Sequence, residues 1–171
     1  MYEHSCTYVT NSGNEMNESP KWSEARCAQY EFSIEIEASR ERVWRGLTDQ
    51  IGTWWLPDFH MLGADSIVTL ESRAGGRLYE QNGDQHLLWY TVIAIQNNEA
   101  LDLVGYINAK YGGPATTMLN ATLTEESAGR AVLRISDSLY GCVSDGLVNS
   151  LNSGWQMLFS DGLKAYVETD G

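Results

Sequence analysis

The segment Ser144–Glu168 decides the fold; it reads SDGLVNSLNSGWQMLFSDGLKAYVE. Large apolar side chains recur along it at spacings of three and four, the pattern of a helix with one buried face. They are Leu147, Leu151, Trp155, Leu158, Phe159, Leu163 and Tyr166. At about 1.5 Å per residue, such a helix runs about 37 Å and can cross a whole sheet. Gly154 and Gly162 would each cost about 1 kcal/mol relative to alanine, so they indicate close packing or a helix that begins later.

The chain before this helix alternates as half-buried strands do. Tyr30, Phe32, Ile34 and Ile36 alternate with polar residues, which predicts a first strand with one apolar face. Six further strands are predicted, separated by turn signals such as Asn82-Gly83. They cover Ser66–Ser72, Arg77–Gln81, His86–Gln96, Ala100–Ile107, Thr116–Thr124 and Arg130–Tyr140. Short loops between these strands predict an antiparallel meander.

Two short helices are predicted between the first strand and the second. Ser39 offers an N-cap, and Val43, Trp44 and Leu47 form an apolar stripe at helical spacing. A second helical turn follows around Ile51–Trp55. The order of elements therefore predicts an α+β domain, with a curved seven-stranded antiparallel sheet wrapped around a long C-terminal helix.

One helix cannot fill the hollow of a strongly bent sheet along its whole length. Space then remains between the concave face, the long helix and the two short helices. The pattern therefore predicts an internal cavity, lined mostly by apolar and aromatic side chains.

Several stretches together resemble one known family. These stretches are FSIEIEASRERVWRGLTD at Phe32–Asp49, Trp54-Trp55, Gly75-Gly76-Arg77, and Gly154-Trp155 followed by Leu158, Leu163-Lys164 and Tyr166. In order and spacing, over residues 29–168, they resemble START-like (SRPBCC, helix-grip) domains, above all the branch related to activators of the 90-kDa heat-shock-protein ATPase. The resemblance implies a helix-grip fold with a hydrophobic cavity and, through that branch, a link to chaperones and the stress response. It does not imply one chemistry, since the family includes lipid carriers, hormone receptors, aromatase/cyclases and co-chaperone domains.

A dense set of aromatic residues supplies the candidate ligand contacts. We expect the cavity to be lined by Trp54, Trp55, Tyr79, Trp89, Tyr106, Trp155 and Phe159. Plain core packing is the alternative for each of them, and the two roles are compatible. Since neighbours in a strand face opposite sides, Trp89 and Tyr90 should not both point inward. Tyr79 and Glu80 are also neighbours in a strand, so only one of them should face the cavity. The family resemblance, which implies an aromatic residue here, favours Tyr79.

The segment Trp54–Gly63 is rich in large apolar residues but has neither helical nor strand periodicity. As a loop it would expose apolar area unless it folds over something. It is predicted to be a lid packed on the rim of the core, with a gate over the cavity or a partner-binding patch as the alternatives.

Length and charge restrict the class of protein. The chain has 171 residues, the size of one domain, with 11 Lys+Arg against 23 Asp+Glu and a net charge of −12. Such a charge disfavours nucleic acids and anionic membrane surfaces, and no apolar run reaches a membrane span. Residues 1–28 are predicted to be an extension, poorly ordered or laid on the surface, before a domain at 29–171. With no signal-like start and three scattered cysteines, we expect a cytoplasmic protein.

No motif for catalysis, metal or a cofactor stands out. The histidines have no ligand spacing and no Cys-x-x-Cys occurs, so no metal site, cofactor or catalytic residue is assigned. The side chains that would serve acid–base chemistry, if they faced the cavity, are Asp58, His60, Asp65, Glu71, Glu80 and His86. Surface exposure is the commoner state for strand carboxylates.

The leading interpretation is a domain that binds a small hydrophobic or aromatic molecule in its cavity. The alternatives are a module that interacts with a chaperone, which predicts an exposed patch and a closed core, and an enzyme of the cyclase or dehydratase kind. The oligomeric state is left open between monomer and homodimer.

Overall fold

The computed structural model describes residues 23–169, which form a seven-stranded sheet with helices after its first strand and after its last. The strands are β1 (Arg26–Ile36), β2 (Ile67–Leu70), β3 (Arg77–Asn82), β4 (Gln85–Gln96), β5 (Ala100–Ile107), β6 (Ala115–Ser127) and β7 (Arg130–Gly141). The helices are α1 (Arg40–Leu47), α2 (Ile51–Trp54), α3 (Asp145–Met157) and α4 (Ala165–Thr169), with a π-helical segment, Leu158–Lys164, between α3 and α4. The predicted α+β helix-grip architecture is confirmed. No helix within residues 23–169 has the length and apolarity needed to cross a membrane.

The strands lie in the order β1-β7-β6-β5-β4-β3-β2, and every pair is antiparallel. The strands β2 to β7 follow one another as the predicted meander, and β1 closes the order by pairing with β7. Cα partners along this last pair run from Arg26 opposite Gly141 to Ile36 opposite Ala131. A single sheet therefore runs from β1 at one edge to β2 at the other.

The first strand keeps its predicted alternation. Ile34 and Ile36 are buried, whereas Glu31 and Glu35 project outward and form ion pairs with Arg134 and Arg130 of β7. The strand begins at Arg26, so residues 26–28, which we assigned to the extension, are part of the sheet. The remainder of the predicted extension, up to residue 22, lies outside the described residues.

The first helix begins where its sequence predicts. The Ser39 hydroxyl accepts a hydrogen bond of 3.2 Å from the backbone N–H of Arg42, which satisfies a donor that the first turn leaves free. Val43 and Leu47 are buried against the core. The second helix is a single turn, and Ile51 and Trp54 are its buried residues.

The C-terminal helix is held most firmly in its second half. Leu158 and Leu163 have no exposed surface, whereas Trp155 is the buried residue of α3. A Cβ on Gly162 would lie 2.7 Å from the carbonyl oxygen of Trp54, but one on Gly154 would only meet Phe59 at 3.6 Å. Close packing therefore accounts for the glycine at 162.

Candidate functional site

The space between the C-terminal helix and the sheet is almost filled. A cavity of about 20 Å³ remains there, about the room that one water molecule needs and far less than the several hundred Å³ of a ligand pocket. It is lined by Leu47, Ile51, Trp55, Leu70, Leu78, Leu101, Leu103, Leu119, Ala121, Trp155 and Phe159. The predicted ligand-sized internal cavity is thus not formed, because large aromatic side chains from the helix and from the segment after α2 occupy the hollow.

A larger groove lies between the start of α3 and the start of β1, and none of its lining residues lines the cavity. It encloses about 310 Å³ and is lined by Arg26, Ala28, Val143, Asp145, Val148 and Asn149. The Arg26 guanidinium and the Asp145 carboxylate form an ion pair of 2.9 Å at its rim. Trp155 lies two helical turns further along α3 from Val148, so the groove and the cavity follow the same helix.

Five of the predicted cavity residues come together as one aromatic cluster: Trp54, Trp55, Trp89, Trp155 and Phe159. Trp155 and Phe159 stack with ring centroids 5.6 Å apart. Trp55 lies edge-on to Trp155 at 6.3 Å, and Trp54 packs against Phe159 at 6.1 Å. Trp55, Trp155 and Phe159 line the cavity, whereas Trp54 packs behind them and donates its indole N–H to the carbonyl of Gly46 at 2.7 Å.

Trp89 and Tyr90 both reach the inner side of the sheet, contrary to our prediction. In the β3–β4 pairing Leu78 lies opposite Tyr90 and Tyr79 opposite Leu88, so Trp89 is an extra residue in a β-bulge. The bulge cancels the alternation at this point. The Trp89 ring then contacts Trp55 at 5.6 Å, and the Tyr90 ring contacts Trp155 at 5.9 Å.

Two predicted cavity residues lie on the outer face instead. Tyr79 is half-buried under the Arg77 guanidinium, 4.8 Å from its ring centroid, while Leu78 and Glu80 on either side are buried. The prediction that Tyr79 points inward is wrong, because the inward positions of β3 go to its neighbours. Tyr106 is 73% exposed, so it does not line the interior either.

The indole N–H of Trp155 has no hydrogen-bond partner, although the residue is only 8% exposed. The Tyr90 hydroxyl lies near enough to Trp155 for a weak hydrogen bond from the indole N–H to lower the pKa of Tyr90, but the contact falls short of good hydrogen-bond geometry. A buried donor without a partner costs about 1–3 kcal/mol. Trp155 therefore combines a ring that lines the cavity with a buried donor that lacks a good acceptor.

A buried polar cluster beside Trp155 escaped the sequence interpretation. Asp137 accepts hydrogen bonds from the Tyr30 hydroxyl at 2.8 Å and from the Thr117 hydroxyl at 2.6 Å, and Thr117 in turn meets the Tyr90 hydroxyl at 3.3 Å. Asp137 has no exposed surface. The alternation of β7 indicates that Asp137 is buried, because Asp137 lies on the same face of the strand as the buried residues Ile135 and Leu139.

Burial controls the ionisation of this cluster. Removal from water raises the pKa of Asp137, and this outweighs the hydrogen bonds from Thr117, Tyr30 and backbone N–H groups, which lower it. Burial and the neighbouring Asp137 carboxyl also raise the pKa of the Tyr30 hydroxyl far above its usual range. Asp137 and Tyr30 therefore both hold their protons to higher pH than surface groups of the same kind would.

Glu80 is fully buried but serves the segment that follows α2. Its carboxylate accepts from the backbone N–H groups of Met61 and Leu62, at 3.1 and 2.7 Å, and from the Ser66 hydroxyl at 2.6 Å. The Trp89 indole N–H adds a bond of 3.2 Å. Burial by itself raises the pKa of Glu80, but these four donors outweigh it and leave the pKa below the usual value. These bonds hold the end of the Trp54–Gly63 segment against β3, and we call the bonds of Glu80 to Met61, Leu62 and Ser66 the Glu80 fastening. Earlier in the same segment, Phe59 packs on Gly154 of α3.

The other candidate acid–base residues do not line the cavity. His60 Nδ1 lies 2.7 Å from the Ser66 hydroxyl and 3.7 Å from Glu80, within the same fastening. Glu71 is paired with Arg77 at 2.8 Å. Asp58, Asp65 and His86 are exposed. Residues 23–169 contain no group of His, Cys, Asp and Glu side chains arranged to hold a metal ion.

Known structures share the fold of this chain at low sequence identity. A conserved protein of unknown function from Enterococcus faecalis is 18% identical, with a TM-score of 0.61 over 84% of this chain and 73% of that one. CalU16 from Micromonospora echinospora is 16% identical, with a TM-score of 0.60 over 86% and 85% of the two chains. A point mutant of norcoclaurine synthase from Thalictrum flavum, in complex with a transition-state analogue, is 13% identical, with a TM-score of 0.57 over 85% and 97%.

Sequence comparison identifies the family. No curated protein matches the chain significantly. The profile of the family described as "Activator of Hsp90 ATPase homolog 1-like protein" matches residues 37–168, from the end of β1 to the end of the C-terminal helix. This range includes the aromatic cluster, Asp137 and the Glu80 fastening. The chain therefore belongs to the Activator of Hsp90 ATPase homolog 1-like protein family.

Proposed function

We propose that this protein binds a small, mostly apolar molecule between its C-terminal helix and its sheet. The binding site begins at the groove beside Val148 and extends toward Trp155. The observation that carries the proposal is the buried indole N–H of Trp155, which lacks a hydrogen bond of good geometry and belongs to a ring that lines the apolar cavity. A ligand that reaches this donor removes the cost of leaving it unpaired.

Burial of apolar surface would supply most of the affinity, at about 25 cal/mol per Å². The side chains along the path support this, since Ala28, Val143 and Val148 line the groove and leucines line the cavity. Norcoclaurine synthase, which shares the fold, is seen in complex with a transition-state analogue. We propose that the space between the helix and the sheet serves binding in this protein, and that the protein acts in the cytoplasm.

Entry of a ligand requires the first half of α3 to move away from the sheet, because the interior is closed. Leu147, Val148 and Leu151 are only half-buried, so this half is held by fewer buried contacts than the half after Trp155. A closed state of this kind lowers the apparent affinity by the fraction of molecules that are open.

A thermal-shift screen with lipids and small aromatic molecules tests the proposal. We expect apolar molecules to raise the melting temperature of the wild-type protein, because they bind the folded state alone. Val148→Trp blocks the groove and should abolish the shift. Ser153→Trp, at an exposed position of the same helix, is the matched control and should retain it. If no apolar molecule raises the melting temperature, or if Val148→Trp binds as well as the control does, the proposal is wrong.

A second candidate function is binding to the chaperone that the family description names. The structure offers a closed core and an outer-face patch made of Tyr106, Met118 and Tyr140, which are 73%, 48% and 58% exposed. Thr116 lies opposite both tyrosines in the sheet, so the patch is continuous across three strands. Exposed apolar area of this kind is typical of interaction surfaces.

An ATPase assay with purified Hsp90 tests this second candidate. The wild-type protein should raise the rate of ATP hydrolysis, and the double variant Tyr106→Ser/Tyr140→Ser should not. Ile67→Ser alters an equally exposed residue at the opposite edge of the sheet, on β2, and should behave as wild type. An unchanged rate with the wild-type protein, or full stimulation by the double variant, rules the candidate out.

A further inference from the structure

When Asp137 is ionised, the hydrogen bonds around it all run toward its carboxylate. The Thr117 hydroxyl donates its proton to Asp137 at 2.6 Å, so its oxygen must accept from the Tyr90 hydroxyl at 3.3 Å. The Tyr30 hydroxyl also donates to Asp137, at 2.8 Å. Both tyrosine protons are therefore committed within the protein.

The indole N–H of Trp155 has no acceptor in good hydrogen-bond geometry, because the nearby Tyr90 oxygen is poorly placed to accept from it. The indole nitrogen can only donate, and it is buried without such an acceptor beside Tyr90. A ligand oxygen placed there would accept from Trp155. A ligand donor would find only the phenol oxygen of Tyr90, since the proton of Tyr90 already goes to Thr117.

The same space offers nothing to balance a negative charge. None of the side chains that line the cavity is basic. The two buried carboxyl groups near the aromatic rings are Glu80, which accepts from the Trp89 indole N–H, and Asp137, which is linked to Tyr90 through Thr117. Arg26 stands at the far rim of the groove and is already paired with Asp145. A carboxylate drawn into this interior would lose its hydration without gaining an ion pair.

We propose that the ligand is an uncharged, mostly apolar molecule that carries one hydrogen-bond acceptor, such as a ketone or an ether oxygen, which binds the indole N–H of Trp155. Fatty acids and other carboxylates are excluded on this basis. The inference rests on the proposed function and adds to it the chemical class of the ligand and the residue that selects it.

Three probes of one shape separate the possibilities: 1-tetralone, tetralin, and 1,2,3,4-tetrahydro-1-naphthoate. Calorimetric titration of the wild-type protein at pH 7 should show the ketone binding about tenfold more tightly than the hydrocarbon, as one added hydrogen bond predicts. The carboxylate should bind more weakly than the ketone by at least a similar factor. This comparison needs no variant, so it does not depend on how a core substitution folds.

Variants and spectra then assign the preference to Trp155. Trp155→Phe should lose the preference for the ketone, whereas Trp54→Phe, whose indole N–H is bonded to Gly46, should keep it. In the nitrogen–proton correlation spectrum, the Trp155 indole peak should move downfield with tetralone and less with tetralin.

The outcomes distinguish this inference from the function beneath it. If apolar molecules bind but tetralin binds as tightly as tetralone, or the carboxylate binds most tightly, the ligand class is wrong and the binding function stands. If tetralone binds and the Trp155 peak does not respond, the residue assignment is wrong. If neither the probes nor any other apolar molecule binds, the proposed function fails and this inference fails with it.

Discussion

The Tyr30 hydroxyl on β1 donates a 2.8 Å hydrogen bond to Asp137 on β7, its direct Cα partner across the sheet. This bond joins the edge strand to its neighbour on the face that packs toward α3. The rest of that face is largely apolar, and the carboxyl has no exposed surface. A buried acid that depends on two hydroxyl groups has consequences for stability that can be measured.

Asp137→Asn should remove a pH dependence of stability. The pKa of Asp137 is raised in the folded protein from an ordinary value of 3.8, first by burial. The folded state thus binds this proton more tightly than the unfolded state, so the stabilisation is complete below the ordinary pKa and is lost as pH rises through the folded pKa. Urea unfolding from pH 3 to pH 8 should show that the wild-type protein loses stability relative to Asp137→Asn over that window. A constant difference between the two proteins would contradict the raised pKa.

Glu80→Gln should show the opposite pH dependence. The pKa of Glu80 is lowered from 4.5, because bonds from Ser66, Leu62, Met61 and Trp89 outweigh the effect of burial. Its stabilisation is therefore present above the ordinary pKa and is lost as pH falls through the folded pKa. At pH 7 the variant should lose about 1–3 kcal/mol of unfolding free energy, and the gap should close in acid. Hydrogen exchange of the Met61 and Leu62 backbone amides should become faster in the variant. Unchanged exchange would show that the Glu80 carboxylate does not protect these two amides.

The two glycines of the C-terminal helix should respond in opposite ways to alanine. Gly154→Ala adds a Cβ that meets only Phe59 at an ordinary 3.6 Å, so the better helix propensity should stabilise the protein by up to about 1 kcal/mol. Gly162→Ala places a Cβ 2.7 Å from the Trp54 carbonyl oxygen and should destabilise it, because backbone must move. Thermal unfolding of the pair checks this, and equal melting temperatures would show that the contact at 162 is not tight.

Leu163→Ala should destabilise the protein by about 2–5 kcal/mol, because Leu163 has no exposed surface and its loss leaves a cavity. Met157→Ala is the matched control, six residues earlier on the same helix. Its side chain is 52% exposed, and the change should stay within about 0.5 kcal/mol. Chemical unfolding of both variants measures the difference. Similar losses in both would mean that the helix does not seat on the sheet through Leu163.

The order of elements could be predicted because each carries a local signal. Alternation gave the strands, as in Ile34 and Ile36, and the cap at Ser39 gave the start of α1. The same alternation placed Asp137 on the inner face, where a polar residue needs partners. Its partners Tyr30 and Thr117 are 107 and 20 residues away in the chain, so no local pattern reveals them.

The parts of the site that could not be predicted depend on geometry that is not local. The bulge at Trp89 turns two consecutive aromatic residues to one side, and nothing in the residue types requires it. The size of the cavity depends on how Trp55, Trp155 and Phe159 pack against one another, which a list of apolar residues does not determine. Sequence pattern therefore identified the wall of the interior but not the volume that it encloses.

The π-helical segment divides the terminal helix into two parts that are anchored differently. Leu158 and Leu163, within it, are fully buried, whereas Asp145–Gly154 contribute no buried side chain. A molecule bound between α3 and the sheet would displace α3 outward, and the bend would fall in the π-helical segment while the residues after it kept their packing. The segment that the sequence pattern presents as one rigid helix therefore has a hinge point where α3 meets the π-helical segment, next to the aromatic cluster.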